Sequence, residues 1–256
     1  MLQKIQLKIT PAEASDESAV CRYIAQSLGK DIHDISGYTI LKKSVDARGK
    51  QIWINLTVNS FVGEPYQQRV LEESVLKDVA HATHSVVIIG AGPAGLFAAL
   101  RLIEQGVKPI LLERGKDVKS RRRDLALLNK EGVVNPESNY CFGEGGAGTY
   151  SDGKLFTRSN KRGSIDKALN TFVQFGAEEK ILYEAHPHIG TNKLPQIITN
   201  MRKAIVDCGC IFLFEKKVTD FILTKNKIAS VETADGDSFS ADAYILATGH
   251  SGRDIF

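Results

Sequence analysis

The sequence predicts an α/β fold in which a small α+β module precedes a Rossmann-like domain. Three observations carry that expectation. Residues 1–60 alternate apolar and polar positions in the order strand, helix, strand, strand. A continuous apolar run, Val86-Val-Ile-Ile89, then leads into a glycine-rich turn and a helix. A last apolar strand ends in Ala247-Thr-Gly249.

In the first module Ile5, Leu7 and Ile9 alternate with Gln6 and Lys8, the two-residue period of a half-buried strand. A helix is expected over residues 16–28, because Val20, Ile24 and Leu28 share one face and Gly29 supplies a stop. Two strands are expected at 38–45 and 51–58, joined by the turn Asp46-Ala-Arg-Gly49. This β-α-β-β order suits half of a ferredoxin-like sandwich. The expected division is a small α+β domain at 1–62, a polar connector at 63–84 with a short helix at 67–79, and a Rossmann-like domain at 85–256.

In that second domain the run 86–89 fits a parallel strand buried on both faces. The glycine turn opens a helix to about Gln105, Gly106 closes it, and 108–112 is the next strand, completing a βαβ unit. The stretch 116–163 is rich in glycine and charge, and its basic run Ser120-Arg-Arg-Arg123 reads as a solvated helix face. Helices are expected at 164–175 and 193–208. Strands at 211–216, 218–223 and 229–233 form a three-stranded antiparallel excursion before the final strand at 243–247.

The net charge is +3, too small to argue for nucleic acid or an anionic membrane. No stretch approaches the length of apolar sequence that spans a bilayer. Cys21, Cys141, Cys208 and Cys210 form no Cys-x-x-Cys pair and read as reduced thiols. A cytoplasmic protein is expected.

The strongest chemical signal is Gly90-Ala-Gly92-Pro93-Ala94-Gly95. A lone G-x-G-x-x-G is weak, but here it follows a buried strand, opens a helix and precedes an acid, Glu113, 23 residues after Gly90. Gly90 makes the tight turn, Gly92 lets backbone approach a pyrophosphate, and Gly95 lets helix and strand pack closely. The helix N-terminus offers amides and partial positive charge to phosphate, and Pro93 sits where its missing N–H costs least. A carboxylate at Glu113 can accept from the ribose hydroxyls and would repel a 2′-phosphate, so the nucleotide is FAD or NAD. Arg114 either lies over the adenine or is solvated. A second glycine-rich stretch, residues 142–154, favours FAD, because its backbone can pass close to the far side of a long cofactor.

The motifs GAGPAGLFAA (90–99), LLERG (111–115), NPESNYCFGEGGAGTYSDGKL (135–155), HPHIGT (186–191), LATGHSGRD (246–254) and LKKSVDARGK (41–50) together resemble a bacterial family of FAD-dependent dehydrogenases. That family lies within the two-dinucleotide-binding-domain flavoproteins of glutathione-reductase type. The resemblance implies that Gly90, Gly92, Gly95 and Glu113 hold the ADP half of FAD. It implies that Gly146, Gly148, Thr149 and Ser151 line the pyrophosphate–flavin side, that the backbone of Val218 reads adenine, and that Thr248 and Gly249 close the site. It further implies that this chain is the N-terminal portion of a longer protein. Disulfide reductases of this fold carry a redox cysteine pair where this chain has TYSDGKL, so a thiol relay is not expected. NAD(P)H is the candidate electron donor, although no second G-x-G-x-x-G is present to hold it. The substrate is expected to be a small molecule. An RNA-modifying flavoenzyme and a non-catalytic nucleotide-binding fragment are the rivals, and the modest charge weighs against RNA. Lesser candidates are His186 and His188 as a structural loop, Lys154 near the flavin, and His250 as a proton donor.

Overall fold

The structure is a computed structural model that describes residues 2–157, 163–190, 192–249 and 252. It divides into two compact units. The first comprises residues 1–73, 154–173 and 178–189, and the second residues 74–153, 174–177 and 190–256.

In the first unit strands β1 (Leu2–Ile9), β2 (Ile35–Asp46) and β3 (Trp53–Val62) form an antiparallel sheet in the order β1-β3-β2. Helix α1 (Pro11–Ala14) is a single turn, set by a capping box between Thr10 and Glu13. Helix α2 (Glu17–Leu28) begins where the Asp16 carboxylate accepts the Ser18 amide and ends at Gly29 in the left-handed region. Every second residue of β1 and β3 points inward, so Ile5, Leu7, Ile9, Ile54, Leu56 and Val58 pack against Val20 and Ile24 of α2.

The second unit is built on a parallel sheet. Strand β4 (Ser85–Ile89) leads into α3 (Pro93–Glu104) and then β5 (Lys108–Leu112). Helix α4 (Val118–Glu131) follows, its N-cap Asp117 accepting the Lys119 and Ser120 amides. Helix α5 (Ile165–Gln174) belongs, save for its last residue, to the first unit. Helix α6 (Leu194–Asp207) and β6 (Ile211–Leu213) come next. Then β7 (Val218–Thr224), β8 (Lys227–Thr233) and β9 (Ser238–Phe239) precede β10 (Ala243–Leu246). The parallel order is β10-β4-β5-β6, and β7-β8-β9 form a separate antiparallel sheet. The two sheets share a core in which Val87, Ile89 and Leu112 meet Val218 and Val231.

Three expectations change. The three-stranded excursion exists, but its members are 218–224, 227–233 and 238–239; residues 211–213 instead join the parallel sheet beside β5. No helix forms at 67–79. There the Glu72 amide donates to the Asn170 side chain, and Ser74 exchanges two hydrogen bonds with Gln174, so side chains of α5 replace helical bonds. Within the run 120–123, Arg122 and Arg123 are exposed on α4, but Arg121 is fully buried.

Replacing Ile24, fully buried between α2 and the first sheet, by Ala should cost about 2–5 kcal/mol of stability. Urea unfolding monitored at Trp53 reads the loss, and an unchanged midpoint would remove Ile24 from the core.

Candidate dinucleotide site

A cavity of about 310 Å3 opens in the second unit at the C-terminal ends of the parallel strands, the place where open α/β sheets bind ligands. One wall is the β4–α3 turn. Gly90 has φ +106°, and a Cβ there would stand 2.7 Å from the Ala247 carbonyl oxygen, so only glycine lets β10 lie this close. A Cβ at Gly95 would overlap the Gly90 carbonyl, which brings the helix tight against the strand. Gly92 is the N-cap of α3 with φ −73° and no side chain to cap it, and Pro93 follows at the first helical position.

The second glycine-rich stretch adjoins this turn backbone to backbone and continues the cavity lining. Gly146 adopts φ +71° and its Cα faces Gly92, so that a Cβ on Gly146 would sit 3.4 Å from the Gly92 Cα. Gly146, Ala147 and Gly148 line the cavity. Arg114, Phe142, Lys216, Lys217 and Val218 flank one end, and Thr248, Gly249 and Gly252 flank another.

Of the residues singled out in the sequence, Gly90, Gly92, Pro93, Ala94, Glu113, Arg114, Gly146, Gly148, Val218, Thr248 and Gly249 are brought together on this cavity. Gly95 stands behind it, in the helix–strand contact. Thr149 is fully buried, its hydroxyl held among the Glu144 and Gly146 carbonyls and the Arg121 guanidinium. Ser151 is exposed and its hydroxyl donates to the Gly148 carbonyl. Neither is among the residues that line the cavity. In the first unit Lys154 and His188 form an antiparallel bridge, and Phe156 packs on the His186 ring at 4.7 Å. His250, and Thr191 of the HPHIGT motif, lie outside the described residues.

Glu113 is tied into the fold more closely than its place at the end of β5 implies. Its carboxylate is 5% exposed. Oε2 accepts the Ala91 amide at 2.8 Å, and Oε1 accepts the amides of Gly115 at 2.8 Å and Gly143 at 3.1 Å. A carboxylate has about four acceptor positions, so one remains open to a further donor. Arg114 is not simply solvated: it pairs with Glu137 at 2.5 Å and stacks 3.8 Å from the Phe142 ring. Lys217 holds the same Glu137 at 3.0 Å, and these two cations keep the Glu137 carboxyl below its usual range against the opposing effect of burial.

Two buried ionic groups were not legible in the sequence. Arg121 reaches from α4 into the glycine-rich loop. Its Nε donates to the Asn139 carbonyl at 2.9 Å and Nη2 to Tyr140 at 3.2 Å. Nη1 lies within hydrogen-bond distance of the Gly143, Glu144 and Gly146 carbonyls and the Thr149 hydroxyl, at 2.8–3.3 Å. Burial pulls its pKa below the ordinary arginine value, which still leaves it a cation at neutral pH. Glu144, also fully buried, accepts the Val118 amide and pairs with Arg202 Nε, both at 2.8 Å.

A family model described as pyridine nucleotide-disulphide oxidoreductase matches residues 84–255. The chain belongs to that family. As an oxidoreductase of this family it carries, at residues 1–61, a match to a second family described only as a domain of unknown function. It is similar to an uncharacterized protein of Clostridium beijerinckii, 34% identical over 94% of this chain and 48% of that one. It is also similar to a thiamine thiazole synthase of Methanococcus vannielii, 27% identical over 64% of this chain and 56% of that one. The chain thus spans about half the length of these relatives. Among solved structures, a ferredoxin reductase from Rhodopseudomonas palustris is 14% identical with a TM-score of 0.32, over 65% of this chain and 24% of that one. At that score it adds nothing to the assignment.

Glu113→Ala would leave three buried amides without an acceptor, at about 1–3 kcal/mol for each, and should lower stability even without ligand. Arg202→Met should cost about 3 kcal/mol, the low end for breaking a buried pair, since Arg202 is partly exposed. Chemical denaturation of the ligand-free chain measures both; wild-type midpoints would contradict the geometry described.

Proposed function

We propose that this chain forms the FAD-binding part of an FAD-dependent dehydrogenase, with NAD(P)H as electron donor and a small molecule as substrate. The observation that supports it most directly is the paired backbone wall. The Gly92 turn and the Gly146–Gly148 loop meet backbone to backbone, close enough that a Cβ on Gly92 would come within 4.0 Å of the Gly146 Cα, and both line the cavity. A continuous strip of bare backbone beside a helix N-terminus fits two linked phosphates lying over it.

The residues fit FAD along the rest of the cavity as well. Glu113 keeps one acceptor position for a ribose hydroxyl, and its carboxylate would repel a 2′-phosphate. Arg114 and Lys217 are held by Glu137 at the cavity edge, beside the Val218 backbone. Beyond the phosphate cradle the wall continues to Thr248 and Gly249, which favours a ligand longer than a mononucleotide. When bound, FAD would supply hydride and electron transfer. The protein's own part is to orient the dinucleotide and keep water from it. A thiol relay forms no part of the proposal: the four cysteines are free, and the TYSDGKL stretch carries none.

Gly92→Leu should abolish flavin retention and leave the helix intact, because φ −73° suits any residue and the added side chain fills the gap. Flavin absorbance after desalting, beside a melting curve, decides it: full flavin occupancy in the variant would sink the placement. NADH and NADPH titrations of the flavin-loaded chain should bleach the flavin band; no bleaching by either would remove NAD(P)H as donor.

A further inference from the structure

We infer that Arg121, a residue outside the cavity, is a positioning residue for the dinucleotide: it presets the glycine-rich loop as the second half of the phosphate cradle. The inference rests on the FAD reading above.

Residues 143–149, four of them glycine, hold little apolar surface with which to pack themselves. Ordering such a loop at the moment of binding would consume affinity through lost conformational freedom. Arg121 removes that cost beforehand. A guanidinium has N–H donors fixed in one plane and no acceptor, so every loop group that meets it must present oxygen.

The consequence for the opposite side of the loop follows from peptide planarity. In a trans peptide the C=O and the next residue's N–H point in opposite directions. Three carbonyls on Arg121 Nη1 therefore aim three amides away from it. The Glu144 amide donates to the Lys116 carbonyl, and the Gly145 amide donates to the Ala91 carbonyl of the first glycine turn. The third amide, Ala147, has no acceptor among the described residues and belongs to the cavity wall. One buried cation thus fastens the loop, ties it to the Gly90–Gly95 turn and leaves an amide directed away from itself for an anion. The neighbouring carboxylates of Glu113 and Glu144 interact favourably with its charge.

The test uses the full chain with its flavin removed. FAD affinity by fluorescence titration should fall about a hundredfold in Arg121→Ala. Arg121→Lys should be intermediate, since one ammonium cannot serve six acceptors, and added guanidinium should recover part of the loss in Arg121→Ala. Hydrogen exchange on the flavin-free chain should show the Glu144 and Gly145 amides losing protection in Arg121→Ala while α3 and α6 keep theirs. Should Arg121→Ala fail to fold, the Arg121→Lys affinity and exchange decide in the same way. Near-wild-type FAD affinity, or unchanged loop protection, would overturn the inference. Failure of the wild-type chain to bind FAD would count against the cofactor reading alone, and the exchange comparison would still decide whether Arg121 sets the loop.

Discussion

The second unit depends on satisfying the polar backbone of a loop in which four of the residues 143–149 are glycine. A buried stretch of glycine cannot be held by apolar packing, and each unpaired amide or carbonyl inside it would be costly. Two opposite charges meet the need from two directions. The Glu113 carboxylate collects amides from the β4–α3 turn, from its own β5 end and from Gly143. The Arg121 guanidinium collects the carbonyls. The Gly143 peptide neighbourhood is gripped by both, its N–H by Glu113 and its C=O by Arg121. A second pair, Glu144 with Arg202, fastens the same loop to α6.

How much of this was readable beforehand follows from how far each interaction reaches. The Gly90–Gly95 turn is local: strand, turn and helix are contiguous, and the requirement for absent side chains is written directly in the residues. Glu113 was legible because β5 follows at fixed spacing, yet its ties to Ala91 and Gly143 were not, since nothing in β5 signals them. In α4 the helix was read at 120–123 but its buried side was not, because of Arg121 itself. Its buried face runs Val118, Arg121, Leu125, an ordinary helical stripe in which a charged residue stands at a core position. Read as polar, it erased the periodicity. Residues 211–213 form an apolar run that fits a parallel or an antiparallel strand equally, and only β5 beside it decides. The expected helix at 67–79 failed because its backbone is bonded by side chains about 100 residues away in α5, which no local pattern signals.

The family's description joins two chemistries, pyridine nucleotide and disulphide. This chain keeps the architecture of the first without the cysteine pair of the second. The distinction matters because the fold positions a dinucleotide, whereas the reaction is decided by what is placed beside it. The cavity described here is built from backbone and buried ion pairs, which suits binding and orientation.

The order of the parallel sheet has a consequence for how the molecule comes into being. Strand β10 pairs with β4, although most of the second unit's sequence separates them. Until residues 243–246 have left the ribosome, β4 lacks its neighbour on that side, and its apolar edge is open to mispairing. The Ala247–Gly249 wall therefore follows the β4–α3 turn that it completes by a long stretch of chain. Closing this long-range pairing is expected to be slow relative to forming the local β4–α3–β5 unit, so the cavity is complete only once β10 has docked beside β4.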